Sequence, residues 1–567
     1  MSRWKFAQRP ILHASILVLL CGILYVPYLG SIPLFDKGEP REALAVQDII
    51  QRGEWLVPLK RATDVPSKPP LFHWSAALVT RLTGSFTEAT IRFPSALYAT
   101  LGVLLVFWLG SLVFNLQVAF LGAAILATTM VYQDQALSAR VDMTLCFFII
   151  LDLFLFYALY SGRLKHPSWY YLFYSVVGIG TLAKGPIGLV LPGLVAGSYA
   201  VVERRWDMIK KFSLHPGVAL TVILAAGWYV IAVFRGGEGF FDRQILEENL
   251  SRFVGGSGHS HPVYYYLSYL ITQGLPWSLF FPLLLWDVIR NFRQGGDALF
   301  LKLWILVMLG FLSLSAGKRP VYLLPVYPAL SLLLAAWFHS APLPVNGRLA
   351  FYRVIAVFAA ISGAVLFAIT LGSYSNQDGG WFFSAVEALL RPKDRANVIA
   401  VKTQLDNFGW RFSLLALSAA GLWLFLARAA WQGHTRTVAR QLLAISIIHG
   451  TVAWSVVMPV IAEAKSYRDF VNEVNERVGP NDKLFLYGGF HRSPIAFYRG
   501  TAVEQLLQPP EELATKLGTG DAFVIMPERT LKKLQKAGAN TAPVLLRSHG
   551  SGPEGDAPLV LLQADLP

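Results

Sequence analysis

The sequence predicts a membrane protein made almost entirely of helices, followed by a small α/β domain outside the membrane. Three observations carry that expectation. Of 567 residues, 54% are hydrophobic and only 15% are charged, against roughly 25% charged in soluble domains, and the mean hydropathy is +0.48. Apolar runs long enough to cross a ~30 Å hydrocarbon core recur along the chain. After about residue 463 these give way to short apolar runs alternating with helical periodicity, the pattern of a small layered domain.

The apolar runs lie near 11–29, 94–113, 117–132, 142–160, 169–183, 186–202, 217–234, 266–288, 301–316, 321–338, 351–372, 411–428 and 441–461, which makes about thirteen transmembrane helices. The first run lacks a small-residue cleavage site and further runs follow it, so it reads as a span rather than a signal peptide. Both cysteines, Cys21 and Cys146, fall inside spans, which argues against a disulfide framework.

The formal charge of +14 is distributed in a way that excludes nucleic acid as the partner. Arg3, Lys5 and Arg9 precede the first span. Alternate loops carry Arg163 and Lys165, Arg204 to Lys211, Arg290 and Arg293, Arg348 and Arg353, and Arg428 to Arg440. By the positive-inside rule these loops are cytoplasmic, and thirteen crossings place the N-terminus inside and the C-terminal domain outside.

Residues 1–462 therefore read as one polytopic domain and 463–567 as a soluble extracytoplasmic one. Within the first, residues 30–93 form an outer loop too long for a simple connector. Its periodicity predicts two helices lying on the membrane surface, Glu42–Arg52 ending at Gly53 and Leu71–Leu82 ending near Gly84. In a second outer loop, 235–265, glycine pairs bracket a helical Phe240–Leu250; a third outer segment spans 373–410. In the tail, strands are expected at Lys483–Tyr487, Ala522–Met526, Val544–Leu546 and Leu559–Leu562. Helices are expected at Tyr467–Val478, Pro510–Leu517 and Glu528–Ala537.

Chemistry is concentrated at the outer edge. Asp36, Glu39 and Glu42 follow the first span, and Asp142 opens the fourth. Carboxylates at a membrane boundary mark functional sites because burying them otherwise costs several kcal/mol. Asp36 and Glu39 favour that reading, whereas Glu42 fits a solvated first helical turn. Two carboxylates converging on a wet pocket would activate and orient an acceptor nucleophile. Lys68, Lys184, Arg252, Lys318 and Arg319 run against the charge trend by lying on the outer side. Snorkelling to headgroups explains a lone lysine; as a set they form a cage for a lipid phosphate.

These pieces together resemble the polytopic C-type glycosyltransferases, in the bacterial branch of lipid A aminoarabinose transferases and protein O-mannosyltransferase-like proteins. The resemblance runs from about residue 30 to 330. It rests on Gly38-Glu39-Pro40-Arg41, Gly53-Glu54-Trp55, Lys68-Pro69-Pro70 with Trp74, Val141-Asp142 and Ala183-Lys184-Gly185-Pro186. Further along it rests on Glu248 to Phe253, His259 with Pro262, Leu275-Pro276-Trp277 and Gly317-Lys318-Arg319-Pro320-Val321-Tyr322.

The resemblance implies transfer of a sugar from a polyprenyl-phosphate donor, with inversion, at the outer face of the bacterial inner membrane. The acceptor would be a glycolipid such as lipid A, an envelope glycan or a protein. It implies phosphate contacts from Lys68, Arg252 and Tyr322 with Lys318 close by, an acidic role for Asp142, and Lys184, His259 and Arg41 as further pocket candidates. Two departures stand out: Gly38 occupies the usual place of the first catalytic aspartate, leaving Asp36 or Glu39 to serve, and Ser67 replaces a glutamate, which argues against a divalent-metal site. No metal ligand and no cofactor are assigned. The rival readings are a lipid-linked-sugar transporter or flippase, and a ligase moving whole glycans from a lipid diphosphate.

Overall fold

A computed structural model describes residues 9–36, 38–58, 68–242, 261–292, 296, 298–340, 345–375, 384, 388, 410–500, 503–506, 522–537, 543–549 and 558–563. Helix α1 (Pro10–Tyr25) is followed by two helices of the first loop, α2 (Glu39–Arg52) and α3 (Leu71–Thr83). The membrane domain continues with α4 (Glu88–Val113), α5 (Leu116–Ala127), α6 (Met130–Ala136), α7 (Val141–Tyr160), α8 (Ser168–Lys184), α9 (Ile187–Val202), α10 (Trp206–Ser213) and α11 (Val218–Phe241). It ends with α12 (Tyr265–Gln273), α13 (Phe281–Arg290), α14 (Ala298–Leu314), α15 (Tyr327–Ser340), α16 (Val345–Ser375), α17 (Trp410–Trp431), α18 (Thr435–Val452) and α19 (Met458–Lys465).

Every apolar run read from the sequence falls on helix, but the runs are not equivalent. Among the described residues, seven helices are long and apolar enough to cross a membrane, or eight if α5 and α6, bent by 65° at their break, form one span. Ile187–Val202, Ala298–Leu314 and Ala416–Trp431 are apolar but shorter. The run expected at 266–288 is not continuous: it divides into α12, a 3₁₀ turn at Trp277–Phe280 and α13. Proline has no N–H to donate, and Pro276 sits at that break. Small residues allow the tightest packing. A Cβ on Gly110 would meet the Leu332 side chain at 2.5 Å, and one on Gly122 would meet Leu332 Cα at 3.1 Å, so α4, α5 and α15 approach to backbone distance.

Both helices expected in the first loop form, each stopped by a glycine in the left-handed region (Gly53 φ 73°, Gly84 φ 68°). Helix α2 starts three residues before the expected position, because Pro40 suits a first turn and Glu39 and Glu42 favour the positive end of the helix dipole.

The tail folds as expected in kind. Helix α20 (Arg468–Arg477) precedes β1 (Lys483–Tyr487), α21 (Ser493–Arg499), β2 (Glu504–Leu506), β3 (Ala522–Pro527), α22 (Glu528–Lys536), β4 (Val544–Arg547) and β5 (Leu559–Gln563). The strand order is β2-β1-β3-β5-β4, with β2, β1 and β3 parallel and β5 antiparallel to both β3 and β4. Strand alternation divides the core. Leu484 and Leu486 pack with Tyr467, Val471 and Ile495 on one face, while Phe485 and Tyr487 pack with Leu531 and Leu534 on the other. Strand β2 was not anticipated, and the helix expected at Pro510–Leu517 lies outside the described residues.

The tail domain also rests on the first loop. Phe497 of α21 joins a buried cluster with Leu34, Ala43, Leu44, Phe72 and Val141. Tyr498 accepts a hydrogen bond from the Leu34 backbone N–H at 2.7 Å and donates to Glu88 at 3.1 Å, while Gln47 and Gln51 both donate to the Gly500 carbonyl at 3.2 Å.

Candidate active site

The site begins with a loop that must turn from the end of α1 into α2. Asp36 makes that turn: its Oδ1 accepts hydrogen bonds from the backbone N–H of Gly38 (2.8 Å) and Glu39 (2.6 Å), satisfying donors at the start of the helix. Its Oδ2 accepts from the Arg140 guanidinium, at the residue just before α7. Burial alone would raise the Asp36 pKa. Arg140 and the two backbone donors outweigh it and hold the carboxyl below its usual 3.8.

Gly38 has a specific reason to lack a side chain. A Cβ there would come within 2.5 Å of Arg140 Nη2 and 2.7 Å of its Cζ. The guanidinium that pairs with Asp36 thus occupies the space into which a side chain at 38 would project.

Glu39 is buried, 4% exposed, and both its oxygens are engaged. Arg92 of α4 grips it bidentately at 2.7 and 2.8 Å, and the Ala139 backbone N–H donates to Oε1 at 2.7 Å. The same guanidinium, 2% exposed, donates to the carbonyls of Leu29, Ile32 and Pro33. One arginine therefore fastens the loop, the start of α2 and the segment before α7. Sequence reasoning missed Arg92 because the apolar run was started at 94. An arginine two positions outside a span was the available signal.

Asp142 pairs with Lys184 from the end of α8, whose ammonium also lies over the Tyr322 ring at 4.4 Å from its centroid. Three expected residues are thus brought together. Glu42 pairs with His73 at 2.7 Å inside the first loop, and Arg41 points to the exposed face of α2. Lys318, 4% exposed, directs Nζ to the carbonyls of His261 (2.9 Å) and Ser315 (2.6 Å). Lys68 stands half-buried just before α3. Arg252, His259 and Ser67 lie outside the described residues, as does most of the Phe240–Leu250 segment expected to be helical. Among the described residues no three His, Cys, Asp or Glu side chains gather to hold a metal ion.

A cavity of about 480 Å³ opens beside the Asp36–Arg140 and Glu39–Arg92 pairs, and Asp142, Lys184, Tyr322 and Lys68 are not among its lining residues. Asp36, Glu39, Arg92 and Arg140 line it, together with Lys318, Arg319, His261, Asp134, Gln135, Tyr269 and Gln273. Each carboxylate named as catalytic from the sequence has its own cation: Asp36 has Arg140, Glu39 has Arg92 and Asp142 has Lys184. Arg140 and the two backbone donors hold Asp36 anionic, and Lys318 and Arg319 add basic groups to the cavity wall.

The class that the sequence motifs resemble is the C-type glycosyltransferases, and the comparisons point the same way. Residues 67–231 match the family model described as dolichyl-phosphate-mannose-protein mannosyltransferase.

The particular relatives bear that resemblance out. An undecaprenyl phosphate-alpha-4-amino-4-deoxy-L-arabinose arabinosyl transferase from Pectobacterium atrosepticum is 28% identical over 372 residues, 64% of this chain and 66% of that one. The protein of the same name from Pseudomonas aeruginosa is 31% identical over 56% of this chain and 58% of its own. The alignments span 61–66% of the length of the first three such relatives. The crystal structure of ArnT from Cupriavidus metallidurans bound to undecaprenyl phosphate superposes with a TM-score of 0.76 at 20% identity, covering 98% of both chains. At that identity the likeness establishes the fold.

Proposed function

We propose that this chain transfers a sugar from an undecaprenyl-phosphate-linked donor to an acceptor at the outer face of the bacterial inner membrane, with inversion at the anomeric carbon. The observation that carries this reading is the two carboxylate–cation pairs, Asp36–Arg140 and Glu39–Arg92, that line one cavity, on a fold shared along 98% of the chain with a protein crystallised with undecaprenyl phosphate. The thirteen-span topology, with the N-terminus inside and the C-terminal domain of 463–567 outside, belongs to the same reading and is supported by the distribution of Lys and Arg over alternate loops.

In this reading the donor enters from the bilayer with its phosphate among Lys68, Arg252 and Lys318, and Tyr322 adds a hydrogen bond. The phosphate is the leaving group, so cations that bind it more tightly as its charge develops lower the barrier. Asp36, kept deprotonated by Arg140, and Asp142, paired with Lys184, orient the acceptor nucleophile. Glu39 serves by holding the loop in register through Arg92, since its oxygens are occupied. Lys184 acts on Asp142 and on the Tyr322 ring. His259 and Arg41 are kept as pocket candidates on the resemblance, Arg41 being exposed on α2. A low-basicity carboxylate at 36 suits an acceptor that needs orienting more than deprotonation.

The acceptor is a glycolipid, an envelope glycan or a protein. Purified protein in nanodiscs, incubated with undecaprenyl-phosphate-linked sugar and an outer-membrane glycolipid fraction, is expected to release undecaprenyl phosphate. Movement of intact sugar-lipid between leaflets without release would favour the flippase reading instead.

A further inference from the structure

Helix α21 of the tail domain packs among the segments that carry the site's charges. Its Ala496 and Phe497 are buried in one apolar cluster with Leu34, Ile91, Ala139 and Val141. Each of those four lies within two residues of a site group: Leu34 precedes Asp36, Ile91 precedes Arg92, and Ala139 and Val141 flank Arg140. In extended backbone successive side chains alternate sides, and Arg140 is extended, with φ −139° and ψ 150°. Ala139 and Val141 enter the cluster, while the guanidinium between them reaches Asp36.

The polar ties are more specific than the packing. Leu34 is fully buried, and a buried backbone N–H must find an acceptor. Its acceptor is the Tyr498 hydroxyl, 464 positions away, which donates in turn to Glu88. Arg468, at the start of α20, stands 3.9 Å from the same Glu88 carboxylate. Glu88 opens α4, and Arg92 follows it one helical turn later. Arg92 holds the carbonyls of Ile32 and Pro33 and both oxygens of Glu39. The chain from 32 to 34 is thus fastened by Arg92 and then by the tail domain, immediately before the turn that Asp36 makes.

We propose that Tyr498 is a positioning residue for the transfer reaction, and that the site is complete only with the tail domain seated on the first loop. Through Leu34 it fixes where Asp36 stands relative to Arg140. The inference rests on the transferase reading above and adds the tail domain to its machinery. Lys318, assigned there to the lipid phosphate, is held by the carbonyls of His261 and Ser315 instead. The tie therefore bears on acceptor orientation and leaves lipid-phosphate binding alone.

The test compares full-length wild type, Tyr498→Phe, Gln51→Leu, Gly38→Ala and the Tyr498→Phe/Gly38→Ala double variant in nanodiscs. Its readouts are affinity for undecaprenyl phosphate, kcat and KM for release of undecaprenyl phosphate from the sugar-linked lipid, and hydrogen–deuterium exchange of residues 30–36. Gln51→Leu is the control for docking alone, since Gln51 donates to the Gly500 carbonyl from the last turn of α2. Tyr498→Phe is expected to bind undecaprenyl phosphate within twofold of wild type, which also shows that it folds, and to exchange faster at residues 30–36. Its kcat falls about fivefold with KM unchanged, the order of one neutral hydrogen bond. Gln51→Leu keeps kcat within twofold of wild type. In the Gly38→Ala background Tyr498→Phe costs less than it does alone, because the Asp36–Arg140 pair it aligns is already displaced.

A Tyr498→Phe kcat within twofold of wild type overturns the proposal, because the tie then serves stability alone. Unchanged exchange at residues 30–36, an equal fall in Gln51→Leu, or full additivity with Gly38→Ala overturns it as well. A wild type that releases no undecaprenyl phosphate, while Tyr498→Phe still loosens residues 30–36, keeps the tail domain's hold on the loop and overturns the transferase reading.

Discussion

Gly38→Ala is the most discriminating single change, because general principles and this structure predict opposite signs for it. Gly38 has φ −90° and ψ −49°, a conformation that alanine adopts freely. Replacing a glycine at such a position ordinarily stabilises by about 0.4–1 kcal/mol, through loss of unfolded-state freedom. Here the added Cβ meets the Arg140 guanidinium at 2.5 Å, and the flexible end of that side chain must move away. Moving it breaks the bond to Asp36. Both partners are a little over a quarter exposed, 29% and 28%, which places the pair between an exposed one and a buried one. A value of about 1–2 kcal/mol follows, or roughly a five- to thirtyfold loss if it is expressed in the transfer step.

The assay is transfer rate and thermal midpoint for wild type, Gly38→Ala, Arg140→Gln and the double variant. The cycle should be strongly non-additive: with Arg140 gone, the alanine has nothing to displace and costs no further activity. An active, more stable Gly38→Ala protein, or additive effects in the cycle, would refute the reasoning.

Other perturbations give equally definite outcomes. Arg92→Leu leaves Glu39 buried without its cation and frees three loop carbonyls; it should cost about 3–5 kcal/mol, seen as a large fall in thermal midpoint. Tyr498→Phe removes the hydroxyl that meets Leu34 and Glu88. It is expected to lower kcat severalfold with unchanged affinity for undecaprenyl phosphate, since the hydroxyl holds the loop two residues before Asp36. The Asp36 carboxyl is held below 3.8, so its pairing contributes stability fully at higher pH and loses it as pH falls through the lowered value. The stability gap between wild type and Asp36→Asn should stay level from neutral pH down to 3.8 and narrow only below it.

Hydropathy made most of the membrane domain legible, because a run such as 142–160 has one physical solution in a bilayer, and helix α7 is Val141–Tyr160. Glycine punctuation located the ends of α2 and α3, and alternation located β1 and β3. The break between α12 and α13 is signalled by Gly274 and Pro276, which a reading of hydropathy alone passed over.

Of the site, the residue types were readable but the pairing was not. Arg92 is 53 positions from Glu39, Arg140 is 104 from Asp36, and Lys184 is 42 from Asp142. Such partners meet only when several helices have packed, and no local pattern records it.

The central claim is that a sugar–phosphate bond is broken at this cavity. Its most direct measurement is mass-spectrometric detection of undecaprenyl phosphate released from undecaprenyl-phosphate-linked sugar by wild type, Asp36→Asn and Asp142→Asn protein in nanodiscs with an outer-membrane glycolipid fraction. Acceptor-dependent release by the wild type, lost in both variants, is the predicted result. Equal release by all three proteins would contradict it.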